Sequence, residues 1–365
     1  MLCLIDPSLQ DHSGRLSDNL GDVVIYRAIS RCLQQLFPGE ELCRISSHEP
    51  LEERHYAQIA GGRMLLLGGS NLLSSDVLAY NQWNFATGRA NYQTPRFGDA
   101  VLFGIGWWQY QAESTPFTAD FYRRVLSTEQ LHSVRDGYTA ARLRAAGISN
   151  VVCTGCPSMW SLDGLANSRS SAWTRDCLMT ITDYKPNPAE DDRFLQLVIE
   201  HFDGTLFLFP QGLGDVEYFL GLPISRRTRR RIEILDHSLE NLERFLSGHP
   251  VSYVGTRLHG GIAALNYGVP SLILAVDNRA AEMARDFRLP VVPRADTQGI
   301  RTWLRGEQPV LPIAVPRAEI LRWCHSLSPG AELEPMFTPT RSLPLDANAK
   351  PALPLRTRIA RTFGL

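Results

Sequence analysis

The stretch VSYVGTRLHGGIAALNYGVPSLIL, residues 251–274, decides how the chain is read. VSYVG (251–255) is apolar enough for a buried parallel strand. A short helix over 260–267 follows, stopped by Gly268 ahead of Pro270. A second apolar run, SLILAV (271–276), comes next. Strand, helix and strand in so few residues make a unit of parallel sheet. Arg257 and His259 then fall between the strand's C-terminal end and the helix N-terminus, the crevice where open α/β sheets bind ligands. In an extended or turning segment the two side chains can share one face. Arginine supplies a fixed fork for phosphate or carboxylate, and histidine titrates near neutrality. Gly260 and Gly261 let a ligand come close to backbone amides at a helix start, which favour anions. The expectation is an anion clamp with an acid/base beside it; the plainer alternative is a core histidine and an ion-paired arginine.

The same alternation runs outward in both directions. Strands are expected at LCLID (2–6), RMLLLGG (63–69), AVLFGIG (100–106) and NVVCTG (150–155), with helical patterns over 22–37 and 135–147. After the polar stretch DGLANSRSSAWTR (163–175) the pattern restarts with CLMTITD (177–183), a helix near 189–202, TLFLFP (205–210) and a helix near 228–247. The fold class expected is α/β, with two Rossmann-like domains whose parallel sheets face a cleft. The boundaries are 1–165, a linker at 166–176, 177–325 carrying the Arg-Leu-His motif, and an irregular Pro-rich tail at 326–365.

Composition narrows the class. A formal net charge of −1 gives no general pull toward nucleic acid. Only two of the 37 basic residues are lysine, Lys185 and Lys350, so cationic chemistry falls to arginine. No apolar run approaches the roughly 20 residues of a membrane span. MLCLIDP at the N-terminus reads as a first strand rather than a signal peptide. Seven scattered cysteines fit free thiols in a reducing compartment. A cytoplasmic protein is expected, in solution or at the inner face of the membrane.

Other strand ends carry further candidates. Asp277, Asn278 and Arg279 follow SLILAV, with Glu282 close behind; they read as ligand contacts from the same rim or as helix capping. Asn19, Gly21 and Asp22 open the first helix, as a hydroxyl-binding turn or as an ordinary helix start. Gly68, Gly69 and Ser70 end a strand, where small residues permit close backbone contact with a ligand. Trp107 and Trp108 are either sugar-stacking faces or packing. Arg135 and Asp136 stand at a strand-to-helix junction, where Arg135 faces the cleft or simply pairs with Asp136. Cys153 and Cys156 form a lone CTGC, a weak metal signal with no second pair at ligand spacing.

Together NLGD (19–22), GGS (68–70), FGIG (103–106), SVRD (133–136), TGCP (154–157) and GTRLHG (255–260) resemble the polysaccharide pyruvyl transferase family over roughly residues 16–290. The resemblance implies a GT-B-like fold. It implies transfer of pyruvate from phosphoenolpyruvate to a pair of hydroxyls on a glycan or lipid-linked sugar, with no cofactor and no metal. By motif match Arg135 and Arg257 hold the donor's phosphate and carboxylate, and His259 is the acid/base. The chain departs from the family at Cys156, where many members are acidic, and at Arg279, where lysine is common. A nucleotide-sugar glycosyltransferase gripping its donor through Arg279 and Glu282, or a glycan-binding relative without turnover, are the alternatives.

Overall fold

The computed structural model describes residues 1–80, 82–83, 98–165, 173–309 and 311–338. Residues 166–172 of the expected linker and 339–365 of the expected tail lie outside the described residues.

Apolar runs that are buried on both faces become the strands of two parallel sheets. In the first half β1 (Leu2–Asp6), β2 (Leu42–Ser46), β3 (Met64–Gly68) and β4 (Ala100–Phe103) lie in the order β2-β1-β3-β4. β5 (His132–Val134) and β6 (Val151–Cys153) pair with each other in parallel. They continue this sheet past the end of β4, where the Gly104 amide donates to the Ser133 carbonyl and the Arg135 amide to the Ile105 carbonyl. The second sheet contains β7 (Asp176–Thr180), β8 (Leu206–Leu208), β9 (Ile232–Ile234), β10 (Val251–Gly255), β11 (Ser271–Ala275) and β12 (Val291–Pro293). Its order is β12-β11-β10-β7-β8-β9. This is the parallel, two-sheet α/β architecture expected.

Each sheet reverses its winding once. The first does so between β1 and β3, the second between β7 and β10. Such switch points leave a crevice beyond the carboxyl ends of the strands. The halves are joined by an apolar cluster in which the helix Leu20–Leu36 packs on the 3-10 turn Pro157–Leu162 and on the helix Leu258–Asn266. The helix Arg317–Leu327 returns to the first half, with Trp323 against Phe103 and its Nε1 donating to the Leu131 carbonyl. It runs through the expected boundary at 325, and Glu334–Phe337 form a 3-10 turn within the expected tail.

Two details differ from the sequence reading. The segment 228–247 is not one helix: β9 interrupts it between Arg226–Arg229 and Leu239–Gly248. The arginines around Ile232 hide this strand, because Arg231 spends its guanidinium on the Phe202 carbonyl rather than on solvent. The motif helix also begins earlier, at Leu258. Arg257 is therefore its N-cap residue and His259 lies in its first turn, not in a loop.

Candidate active site

The two switch points open onto one cavity of about 720 Å³. Asn19, Ser70, Asn71, Tyr80 and Trp108 line it from the first sheet's loops. Asp183, Tyr184, Arg257, Asp277, Asn278 and Arg279 line it from the second's. Of the expected ligand contacts, the structure brings Asn19, Ser70, Arg257, Asp277, Asn278 and Arg279 to this wall.

Arg257 stands at the β7/β10 switch point and is 3% exposed. Its Nε donates to Asp215 Oδ2 at 3.1 Å, and Nη2 donates to Asp183 Oδ1 at 2.8 Å and to Asp215 Oδ1. Asp215 is fully buried and also accepts from the amides of Gln211 and Gly212. Two carboxylates thus neutralise this guanidinium, and removing it would strand a buried charge. Arg257 is thus not the free fork the sequence reading expected: while lining the cavity it is already paired with two carboxylates and ties the loop after β8 to the motif helix.

Arg279 is arranged differently. It pairs with Asp277, which also caps the helix Asn278–Phe287 by accepting from the Arg279 amide. Its Nη2 reaches the Tyr184 hydroxyl, and the Tyr184 ring lies 5.2 Å from the Arg279 guanidinium and 4.9 Å from that of Arg257. Burial opposes the Arg279 charge, yet Asp277, Tyr184 and Asp22 more than offset it and push the pKa up. Burial likewise opposes ionisation of Asp277, while Arg279 and then Arg135 hold that carboxyl at about 2. Arg135 comes from the first sheet, so cations from both sheets act on one carboxylate.

Arg135 follows β5 and is 1% exposed. Nε donates to Asp136 at 3.1 Å and Nη1 to Asn71 Oδ1 at 2.7 Å. Nη2 is buried with no hydrogen-bond partner. An unpaired buried N–H of this kind is costly and points to a missing acceptor. The guanidinium lies flat on Gly106, where an added Cβ would sit 2.0 Å from Cζ. Only glycine permits that approach.

His259 is 5% exposed, with Nε2 3.6 Å from the Cys156 thiol. Its pKa is depressed to about 3, first by burial and then by Arg279 and Arg135. The imidazole is therefore neutral, not poised near neutrality as expected from its residue type; His259 and Arg135 both lie behind the cavity wall rather than among the residues that line it. Burial also pushes the Cys156 thiol up, so this neighbour is neutral too. Asp22 lies in the first turn of the helix Leu20–Leu36 and accepts from Asn19 Nδ2 at 2.9 Å. Burial raises its pKa against the pull of His48, Ser70, Arg279 and Asn19.

Several expected contacts lie elsewhere. A Cβ on Gly68 would meet Leu4 and Ile29, and one on Gly69, with φ +71°, would meet Ile25. These glycines let the first helix settle on the sheet instead of touching a ligand. Gly21 backs onto His259 and Gln211, and Gly260 onto the Tyr253 hydroxyl and Gln211. Glu282 is buried, accepts from the Tyr110 hydroxyl at 2.7 Å and pairs with Arg285, so it closes a contact between the halves rather than lining the cavity. Trp107 is core, whereas Trp108 faces the cavity.

Sequence reasoning passed over Asn71, Tyr80, Asp183, Tyr184, Gln211 and Asp215. Asn71, Asp183 and Tyr184 follow strand ends directly, the signal used for Arg257, and the same rule would have found them. Gln211 likewise follows the end of β8, whereas Tyr80 and Asp215 reach the site only through tertiary packing.

Residues 19–278 match the family model for polysaccharide pyruvyl transferases. The chain belongs to the polysaccharide pyruvyl transferase family. This transferase has no match among curated protein sequences. Similar solved structures include UDP-GlcNAc 2-epimerase of Methanocaldococcus jannaschii in complex with UDP-GlcNAc and UDP. That chain is 10% identical, with TM-score 0.46, covering 88% of this chain and 98% of that one. The S. aureus MnaA–UDP structure is 15% identical with TM-score 0.44, covering 90% of each chain. Os79 of O. sativa in complex with UDP is 11% identical with TM-score 0.42, covering 91% of this transferase and 95% of that chain. No described helix of the transferase is long and apolar enough to cross a membrane.

Proposed function

We propose that the transferase moves pyruvate from phosphoenolpyruvate to two hydroxyls of a sugar on a polysaccharide precursor, closing a ketal and releasing phosphate. The observation that carries this reading is the buried Arg135 Nη2, which lacks an acceptor, with Arg135 and Arg279, from opposite sheets, both within electrostatic reach of His259. A compact dianion supplies acceptors for both guanidiniums. Preorganised cations of this sort stabilise charge with little reorganisation at the moment of reaction.

The chemistry follows from the donor. A proton added to its methylene carbon creates an oxocarbenium-like centre at C2. One sugar hydroxyl attacks there, the C2–O bond to phosphate breaks, and the second hydroxyl closes the ring. The two hydroxyl protons balance the sum: one ends on the new methyl group and the other on the departing phosphate. His259 relays the proton. Burial and then two guanidiniums keep it neutral; a bound dianion offsets the guanidiniums and raises the imidazole pKa toward the range in which it can carry the proton. Arming of the acid is thereby tied to the presence of donor, which limits idle protonation in the open site.

Glu282 weighs against a nucleotide-sugar donor gripped by Arg279 and Glu282, since its carboxylate is committed to Tyr110 and Arg285. The test is incubation of the full chain with phosphoenolpyruvate and glycan acceptors while phosphate is measured. Release that requires both supports the reading. Stabilisation by UDP or GDP without phosphoenolpyruvate turnover overturns it.

A further inference from the structure

The cavity wall also carries an aromatic pair. The rings of Tyr80 and Trp108 lie parallel, 9° apart with centroids at 4.0 Å, and both line the cavity. The Trp108 amide donates to the Leu73 carbonyl at 2.7 Å, tying the plate to the loop after β3. Gln109, next in the chain, has φ 60°, and so does Ser70, which also lines the cavity. Left-handed backbone at residues other than glycine is strained, and it gathers where a surface must hold a particular shape. The same cavity is lined by Asp18, Asn71, Gln109 and Asp183, whose side chains can bond sugar hydroxyls.

A flat aromatic wall ringed by carboxylate and amide side chains suits one ligand chemistry. The C–H face of a sugar ring lies on the aromatic plane while hydroxyls bond the polar rim. We infer that the Tyr80–Trp108 plate is the acceptor subsite and takes an uncharged hexopyranose ring. This assignment rests on the transfer reading above. Burial pushes the Tyr80 phenol up to about 12 within reach of the Arg279 and Asp22 charges, so the plate adjoins the charged end of the cleft. A stacked sugar is thus placed beside the donor site.

The test is saturation-transfer NMR on the full chain with the methyl β-glycosides of glucose, galactose and mannose. Magnetisation is expected to pass from the protein to the ring C–H protons of at least one glycoside. Trp108→Ala should reduce that signal about tenfold, the loss of roughly one stacking contact. Trp108→Phe, which keeps an aromatic face, should restore most of it and answers the case in which the alanine variant fails to fold. An undiminished signal in folded Trp108→Ala, or no contact from any of the three glycosides with wild type, overturns the subsite. Sugar contact without phosphate release refutes the donor reading and leaves the subsite standing. In a turnover assay, Trp108→Ala should raise KM for the acceptor and leave KM for phosphoenolpyruvate unchanged.

Discussion

Arg135 and Arg257 stand just beyond the carboxyl ends of strands in opposite sheets, both buried, and from sequence both read as anion ligands. Their surroundings separate them. Arg257 faces Asp183 and Asp215, and Nε and Nη2 are consumed by carboxylate oxygens. Arg135 has one carboxylate, one amide oxygen and a buried Nη2 with nothing to bond. Position at a strand end is common to both arginines; the supply of acceptors separates a guanidinium fully engaged with carboxylates from one that keeps a donor to spare.

That contrast can be broken by mutation. Arg257→Ala leaves Asp215 buried without its cation and should cost about 3–5 kcal/mol of stability, read by chemical denaturation. A loss within the range of an ordinary surface substitution would erase the distinction. Arg135→Gln should instead act on turnover, lowering kcat/KM for phosphoenolpyruvate by about 10²–10³, the usual effect of removing a preorganised charge-stabilising donor. Steady-state phosphate release gives the value, and a near-wild-type rate would place Arg135 with Arg257 as a brace.

A gentler probe sharpens the comparison. Gly106→Ala puts a methyl group where the Arg135 guanidinium now rests. It should raise KM for phosphoenolpyruvate about tenfold, equivalent to about 1.4 kcal/mol, without touching Arg257. No change would mean that the guanidinium's place is not set by this contact.

The last expected effect concerns pH and builds up gradually across a wide window. The fold holds His259 neutral, with its pKa lowered from 6.5 to about 3 by burial and then by Arg279 and Arg135. As pH falls below 6.5 the unfolded chain binds the proton first, so stability is fully present above 6.5 and is lost progressively toward 3. Denaturation of His259→Gln across this window should show a shallower decline than wild type. Parallel curves would indicate an imidazole that is already charged in the fold.

Much of the architecture was legible in the sequence. Leu2–Asp6, Met64–Gly68, Val251–Gly255 and Ser271–Ala275 are unbroken apolar runs because each is buried on both faces. β2, β9 and β12 were not legible. They are edge strands, and LCRIS, IEI and VVP are too short or too polar to stand out from loops. For the site, the strand-end rule located Arg135, Arg257 and Arg279 but could not rank them. Asp215, which neutralises Arg257, lies 42 residues away in sequence. His259 was misjudged for the same reason: its residue type suggests titration near neutrality, while burial and two distant guanidiniums decide otherwise.

The central claim is that Arg135 and Arg279 form one dianion site beside His259. Calorimetric titration of wild type and Arg135→Gln with phosphoenolpyruvate tests it most directly. The account predicts one equivalent bound by wild type and affinity at least about tenfold weaker in the variant. Equal affinity in the two proteins, or no binding by wild type, would contradict it.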